Sequence, residues 1–250
     1  MKDVKLIKNY HPSANEKILF CFPYAGGGAS AFREWVSGLD GVIEVCPIQL
    51  PGREERICER GYTDMKKLAA DISDTIEDIV EKRECFFYGH SMGGKIAYET
   101  ALELFRRGKK IHHMFISGCE APHIEISNKI YDLPDEEFCN EIISFEGTPE
   151  ELCQNKELFK FFLPLLRADF TLAETYCADK CIPLDCPISV MYGTEDSEAQ
   201  YEAVMEWKPY TKKNFDITSF EGGHFFIKSE MEGVWKNVLR RMKVSNVKVR

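Results

Sequence analysis

Short runs of β-branched and aromatic residues alternate along the chain with longer stretches whose apolar positions recur every three to four residues. The runs Val4–Lys8, Ile18–Phe22, Val42–Ile48, Cys85–Tyr88, His113–Ser117, Ile188–Tyr192 and Phe215–Phe220 predict strands. Several are almost unbroken in hydrophobic character, as in strands covered on both faces. Between them, Asp64–Lys82 gathers Met65, Leu68, Ala69, Ile72, Ile76, Ile79 and Val80 onto one helical stripe. Lys95–Arg107 predicts a second helix, stopped by Gly108, with Arg106 and Arg107 in the last turn where cations meet the negative end of the helix dipole. Lys228–Met242 predicts another. This alternation specifies a parallel sheet with helices on both faces.

One stretch interrupts the alternation. Cys119 to Pro187 separates two strands by far more than an ordinary crossover, and its pattern is helical throughout. Phe138, Ile142, Ile143 and Phe145 form one stripe; Leu158, Phe161, Phe162, Leu165 and Leu166 form a second. An excursion of this kind is either a functional insertion or a set of extra packed helices. There is no internal repeat and no low-complexity segment, and the tail after Met242 is polar. The expectation is one domain over residues 1–250.

Charge narrows the partners. With 32 Lys and Arg against 41 Asp and Glu the net charge is −9, so no general basic field draws in phosphates and no nucleic-acid partner is expected. The longest apolar runs, such as Lys17–Phe22, fall far short of the ~20 residues that span a membrane. Met1–His11 carries no long apolar stretch, so a signal peptide is not expected. The ten cysteines, at 21, 46, 58, 85, 119, 139, 153, 177, 181 and 186, contain no CxxC; with no secretion signal, reduced thiols in a cytoplasmic protein are the expectation.

The chemistry centres on Gly89-His90-Ser91-Met92-Gly93-Gly94, between a strand and a helix. In a G-x-S-x-G turn the serine sits on a sharp bend, and the flanking positions must lack side chains. The bend lifts Oγ clear of the sheet and sets it at a helix N-terminus, where backbone N–H groups point outward. A serine hydroxyl needs a base. Of the histidines, His224 alone follows a strand and a two-glycine turn, in Phe220-Glu-Gly-Gly-His-Phe-Phe226, at the end of the sheet where open α/β folds place functional groups. A carboxylate must orient that imidazole. Asp196, in the turn after Ile188–Tyr192, gives the chain order Ser, Asp, His; Glu120 and Glu195 occupy competing positions. Donors for a developing oxyanion are the Met92 N–H and that of Ala25 or Gly26, in the loop after Ile18–Phe22. Gly26-Gly27-Gly28 lacks the pattern of a phosphate cradle. His112-His113 and Cys177/Cys181/Cys186 lack metal-ligand spacing, so neither cofactor nor metal is expected.

Phe22-Pro-Tyr-Ala-Gly-Gly, Leu50-Pro-Gly-Arg53, Gly89-His-Ser-Met-Gly-Gly94, Leu163-Pro-Leu-Leu-Arg-Ala-Asp-Phe170, Gly193-x-x-Asp196 and Gly222-Gly-His-Phe225 occur in this order. In them the chain resembles the type II thioesterases that accompany nonribosomal peptide and polyketide synthases, over about Ile18 to Val238. The serine turn is common to many hydrolases; Leu-Pro-Gly-Arg and Leu-Arg-Ala-Asp-Phe are narrower. The resemblance implies an α/β-hydrolase fold, with a mostly parallel sheet flanked by helices and a helical lid at about 119–187. It also implies hydrolysis of acyl thioesters on the phosphopantetheine arm of carrier proteins; a monomer is the default expectation for this architecture. Ser91 becomes nucleophile, His224 base, Asp196 orienting acid, Ala25 and Met92 oxyanion donors. Tyr24 stands where many members have His, at the expected mouth. The same triad suits a carboxylesterase or acyltransferase on small free substrates. With an acidic chain, carrier docking is expected to use local basic spots, Arg53 and Arg56 or Arg106 to Lys110, or apolar contact; for Arg53 the alternative is a pair with Glu54 or Glu55.

Overall fold

A computed structural model describes residues 6–8, 10, 11, 16–148, 151, 154–178 and 180–244. Six strands form one sheet: β1 (Lys17–Phe22), β2 (Glu44–Pro47), β3 (Glu84–His90), β4 (His113–Ser117), β5 (Ile188–Gly193) and β6 (Phe215–Phe220). Their order is β2-β1-β3-β4-β5-β6, every neighbour parallel. Of the run Val4–Lys8, Ile7 makes one antiparallel bridge to Ile48, while Val4 and Lys5 lie outside the described residues.

The period of two along β1 divides the core. Ile18, Phe20 and Phe22 pack on one face with Leu68, Ile72 and Ile76 of α2 (Met65–Lys82). Leu19 and Cys21 pack on the other with Trp35 of α1 (Arg33–Gly38). Each such apolar side chain contributes roughly 1.5–3 kcal/mol on burial. The predicted α2 stripe is buried in full, and the helix starts at Asp64, whose side chain accepts the Lys67 N–H at 3.0 Å. The next helix, α3 (Met92–Arg106), begins earlier than the apolar pattern predicts, because Gly93 and Gly94 are weak helix formers inside it. It ends as expected at Gly108, with φ +72°.

Between β4 and β5 the chain carries α4 (Asp135–Ser144) and α5 (Lys156–Thr175). The buried stripes differ from the predicted ones. Phe138 and Ile142 are buried but Ile143 is 39% exposed; in α5 Phe159, Leu165 and Leu166 are buried while Phe161 is 60% exposed. Pro164 lies within α5 and divides a mostly exposed first half from a mostly buried second half. After β5 come α6 (Tyr201–Met205) and, after β6, α7 (Phe226–Ser229) and α8 (Met231–Arg241). The stretch predicted as one helix over Lys228–Met242 is broken at Glu230. All described cysteines are free thiols; Cys153 and the tail from 245 onward lie outside the described residues. No helix among them is long and apolar enough to cross a membrane.

Candidate active site

Parallel register brings the strand ends together. Phe22 pairs with Gly89, His90 with Ser117, and Gly193 with Phe220, so the loops bearing Ala25, Ser91, Asp196 and His224 all leave the carboxyl end of the sheet.

Ser91 forms the turn between β3 and α3 with φ +53° and ψ −124°, a conformation that costs a non-glycine residue on the order of 1–3 kcal/mol. Its N–H is held by the Ser117 carbonyl at 2.8 Å, and its own carbonyl accepts the Gly94 N–H at 2.8 Å. The glycines are sterically required. A Cβ on Gly89 would overlap the Gly93 carbonyl, and one on Gly93 would overlap the Phe22 carbonyl. The Ser91 hydroxyl does not cap the helix it precedes, and among the described residues it makes no hydrogen bond, to His224 or to any other group. Hydrogen bonds of a serine–histidine pair commonly tighten only once substrate is bound. Met92, buried at the first helical position, has an N–H with no intrahelical partner.

His224 and Asp196 meet as the spacing suggested. The imidazole Nδ1 lies 2.9 Å from Asp196 Oδ2, and both residues are buried. Burial opposes the Asp196 charge, but the bond to His224 and the Glu198 and Ala199 N–H groups, donating to Oδ1 at 2.8 and 3.0 Å, hold its carboxyl below the usual range. An ionised carboxylate only accepts, so in the neutral imidazole Nδ1 carries the proton and Nε2 is the acceptor. Glu195 is exposed and Glu120 half-buried; neither bonds the imidazole.

Two further carboxylates attend His224 that the sequence patterns did not reveal. Glu146, from the loop after α4, accepts the His224 N–H at 2.7 Å. Glu198 Oε2 lies 3.7 Å from Nε2. Burial pulls the imidazole pKa down, yet Asp196, Glu198 and Glu146 together outweigh it and raise it above 6.5. The adjacent His90 behaves in the opposite way. Its ring lies 5.0 Å from that of His224, and burial, with His224 and Lys228 nearby, drives its pKa far down and keeps it neutral. Tyr24 stands edge-on to His90 and Phe225 at 5.8 and 4.9 Å, and Lys228 lies over the Phe225 ring at 4.6 Å.

The loop of Ala25 is crossed by internal bonds. The Gly27 N–H goes to the Tyr24 carbonyl at 2.9 Å, that of Gly26 to Asp169 at 2.7 Å, and that of Ala29 to Gln49 at 2.9 Å. The Ala25 N–H, among the described residues, makes no such bond. Arg53 and Arg56 are 4% and 3% exposed, so the docking role expected of them is wrong. Arg53 pairs with Asp169 rather than with Glu54 or Glu55, and Arg56 pairs with Glu59. The other basic spot is largely neutralised, Arg107 by Asp74, Glu77 and Glu103, and Lys109 by Glu81. His113 bonds Ser189 at 2.7 Å within the sheet.

Residues 17–242 match the model of the thioesterase domain. The chain belongs to the thioesterase family. It is 39% identical over 218 residues to the gramicidin S biosynthesis protein GrsT of Aneurinibacillus migulanus, covering 86% of this chain and 84% of that one. Among solved structures, RedJ, the thioesterase of the prodiginine biosynthetic pathway in Streptomyces coelicolor, superposes with a TM-score of 0.85 at 35% identity, over 92% of this chain and 87% of that one. YbtT, the type II thioesterase of the yersiniabactin NRPS/PKS biosynthetic pathway, does so with a TM-score of 0.83 at 30% identity, over 94% and 97%. The thioesterase has the α/β-hydrolase fold and is a hydrolase acting on thioesters.

Proposed function

We propose that this thioesterase releases acyl groups from the 4′-phosphopantetheine arms of carrier proteins in nonribosomal peptide or polyketide assembly, clearing stalled or mis-primed chains. The kinship with proteins named for the gramicidin S and yersiniabactin pathways supports the substrate class. The observation that carries the chemistry is the 2.9 Å contact of His224 Nδ1 with Asp196, which in the neutral imidazole keeps the proton on Nδ1 and leaves Nε2 as the acceptor.

In this reading Ser91 Oγ attacks the thioester carbonyl while His224 Nε2 takes its proton, and Asp196 stabilises the imidazolium. The Met92 and Ala25 N–H groups receive the oxyanion. Collapse of the tetrahedral intermediate breaks the C–S bond, and His224 returns the proton to the departing sulfur. A thiolate of pKa about 8.5 leaves readily, so acid assistance is light. Water, activated by the same imidazole, then hydrolyses the acyl-serine. The whole chain acts as one domain and one monomer in the cytoplasm, with residues 119–187 as the lid over the acyl group.

The test is a carrier protein loaded with acetyl or another short acyl group. Release by the parent enzyme, falling at least about 10⁴-fold in Ser91→Ala, is the expected result. Equal turnover of simple esters and tethered thioesters would point instead to a general esterase, and release undiminished by Ser91→Ala would overturn the mechanism.

A further inference from the structure

Asp169, 2% exposed, projects from the buried second half of α5. Its Oδ2 accepts the Gly26 N–H at 2.7 Å and Arg53 Nη1 at 2.8 Å; its Oδ1 accepts Arg53 Nη2 at 2.7 Å. Arg53 extends the hold, donating from Nη1 to the Gly27 carbonyl at 2.7 Å and from Nε to the Pro51 carbonyl at 3.2 Å. One ion pair therefore fixes the peptide plane that follows Ala25 and the carbonyl two residues on.

Stability alone is a poor explanation for such a pair. Desolvating two charges offsets most of their attraction, and well-packed apolar groups often do as well. A bidentate, charge-assisted fork differs from apolar packing in its directionality. Here the directions converge on the loop that carries Ala25, whose N–H, like those of Tyr24 and Gly28, makes no hydrogen bond among the described residues. An oxyanion hole is effective only when its donors are held in place before charge develops.

We propose that Asp169 and Arg53 are positioning residues for the oxyanion loop, aiming the Ala25 N–H from the α5 side of the cleft. The hole is then complete only while the second half of α5 is seated against the loop. This rests on the reading of Ala25 as an oxyanion donor.

The experiment uses the full chain, Asp169→Asn, and a short-acyl pantetheine thioester. It also compares affinities for an alkylboronic acid, which adds to Ser91 as a tetrahedral anion, and for a non-hydrolysable thioether analogue, which does not. The expected result is a kcat lowered about 10–100-fold, with boronate affinity falling in parallel while KM and thioether affinity stay within about twofold. If Asp169→Asn does not fold, Arg53→Lys decides; it keeps both charges but loses the fork on Asp169 and with it the bond to the Gly27 carbonyl, and should show the same split on a smaller scale. A folded variant with kcat and boronate affinity unchanged, or with all affinities lowered alike, overturns the positioning role. Failure of the underlying reading is separate: it would appear in the parent enzyme as no boronate binding, or as activity surviving Ser91→Ala.

Discussion

Glu198 faces the outer nitrogen of His224, its Oε2 3.7 Å from Nε2, while Asp196 holds the inner nitrogen at 2.9 Å. The imidazole is bracketed by negative charge, and its pKa is raised although burial opposes this. In the proposed mechanism His224 must be neutral to accept the serine proton, so kcat/KM should fall as pH drops through this raised value. Glu198→Gln removes one of the raising charges and should move the acid limb of the profile to lower pH. A limb that stays in place in the pH–rate profile would show that Glu198 does not bear on the imidazole.

The same bracket contributes to stability, with a sign that follows from the shifts. A histidine whose folded pKa lies above its unfolded value stabilises the fold fully below the unfolded value, and loses that contribution as pH rises through the folded one. Asp196, held low, contributes above its unfolded pKa and loses that as pH falls through the folded one. Comparing the denaturant midpoint of the parent with that of His224→Gln across pH 5–9 should give a difference that narrows toward the alkaline end.

Asp196→Asn keeps the shape of the contact but removes the charge that stabilises imidazolium. We expect kcat to fall about 10²–10⁴-fold, with Glu120→Gln and Glu195→Gln within a few-fold of the parent. Steady-state kinetics on one thioester substrate decides among the three carboxylates.

Gly93→Ala places a methyl group against the Phe22 carbonyl, a backbone atom that has no rotamer to escape through. The cost should be about 1–3 kcal/mol or more. At roughly 2–4 °C per kcal/mol for a domain of this size, the thermal midpoint should drop measurably, and activity with it, because Ser91 directly precedes α3 and Met92 opens it.

Two phenylalanines on α5 should behave oppositely. Phe159 is 3% exposed and Phe161 60%. Truncating Phe159 to Ala should cost about 3–5 kcal/mol, whereas Phe161→Ala should stay within about 0.5 kcal/mol. Urea unfolding of both variants checks the exposure of each face.

The sheet and the contact of Asp196 with His224 were legible because their signals are local: a hydrophobic run, then a glycine turn, then a polar residue. The helical excursion was legible only as a presence. Its stripes were misread at Ile143 and Phe161 because periodicity gives a helix its faces but not which neighbours cover them. Arg53 was misplaced for a different reason. An arginine in a loop is ordinarily exposed, and its partner Asp169 stands 116 residues away. The narrow Leu-Pro-Gly-Arg and Leu-Arg-Ala-Asp-Phe motifs each contain one half of the pair, and neither half indicates the other. Glu146 and Glu198 lie in loops with no pattern of their own, and only the fold brings them to the imidazole.

Glu146 and Asp169 both issue from the stretch between β4 and β5, one gripping the His224 backbone and the other the Gly26 backbone. That stretch is therefore not an interchangeable cassette. If the proposed mechanism holds, an engineer grafting a relative's version would also be replacing two struts of its reaction centre, and a graft that lacks either carboxylate should turn over its acyl group slowly.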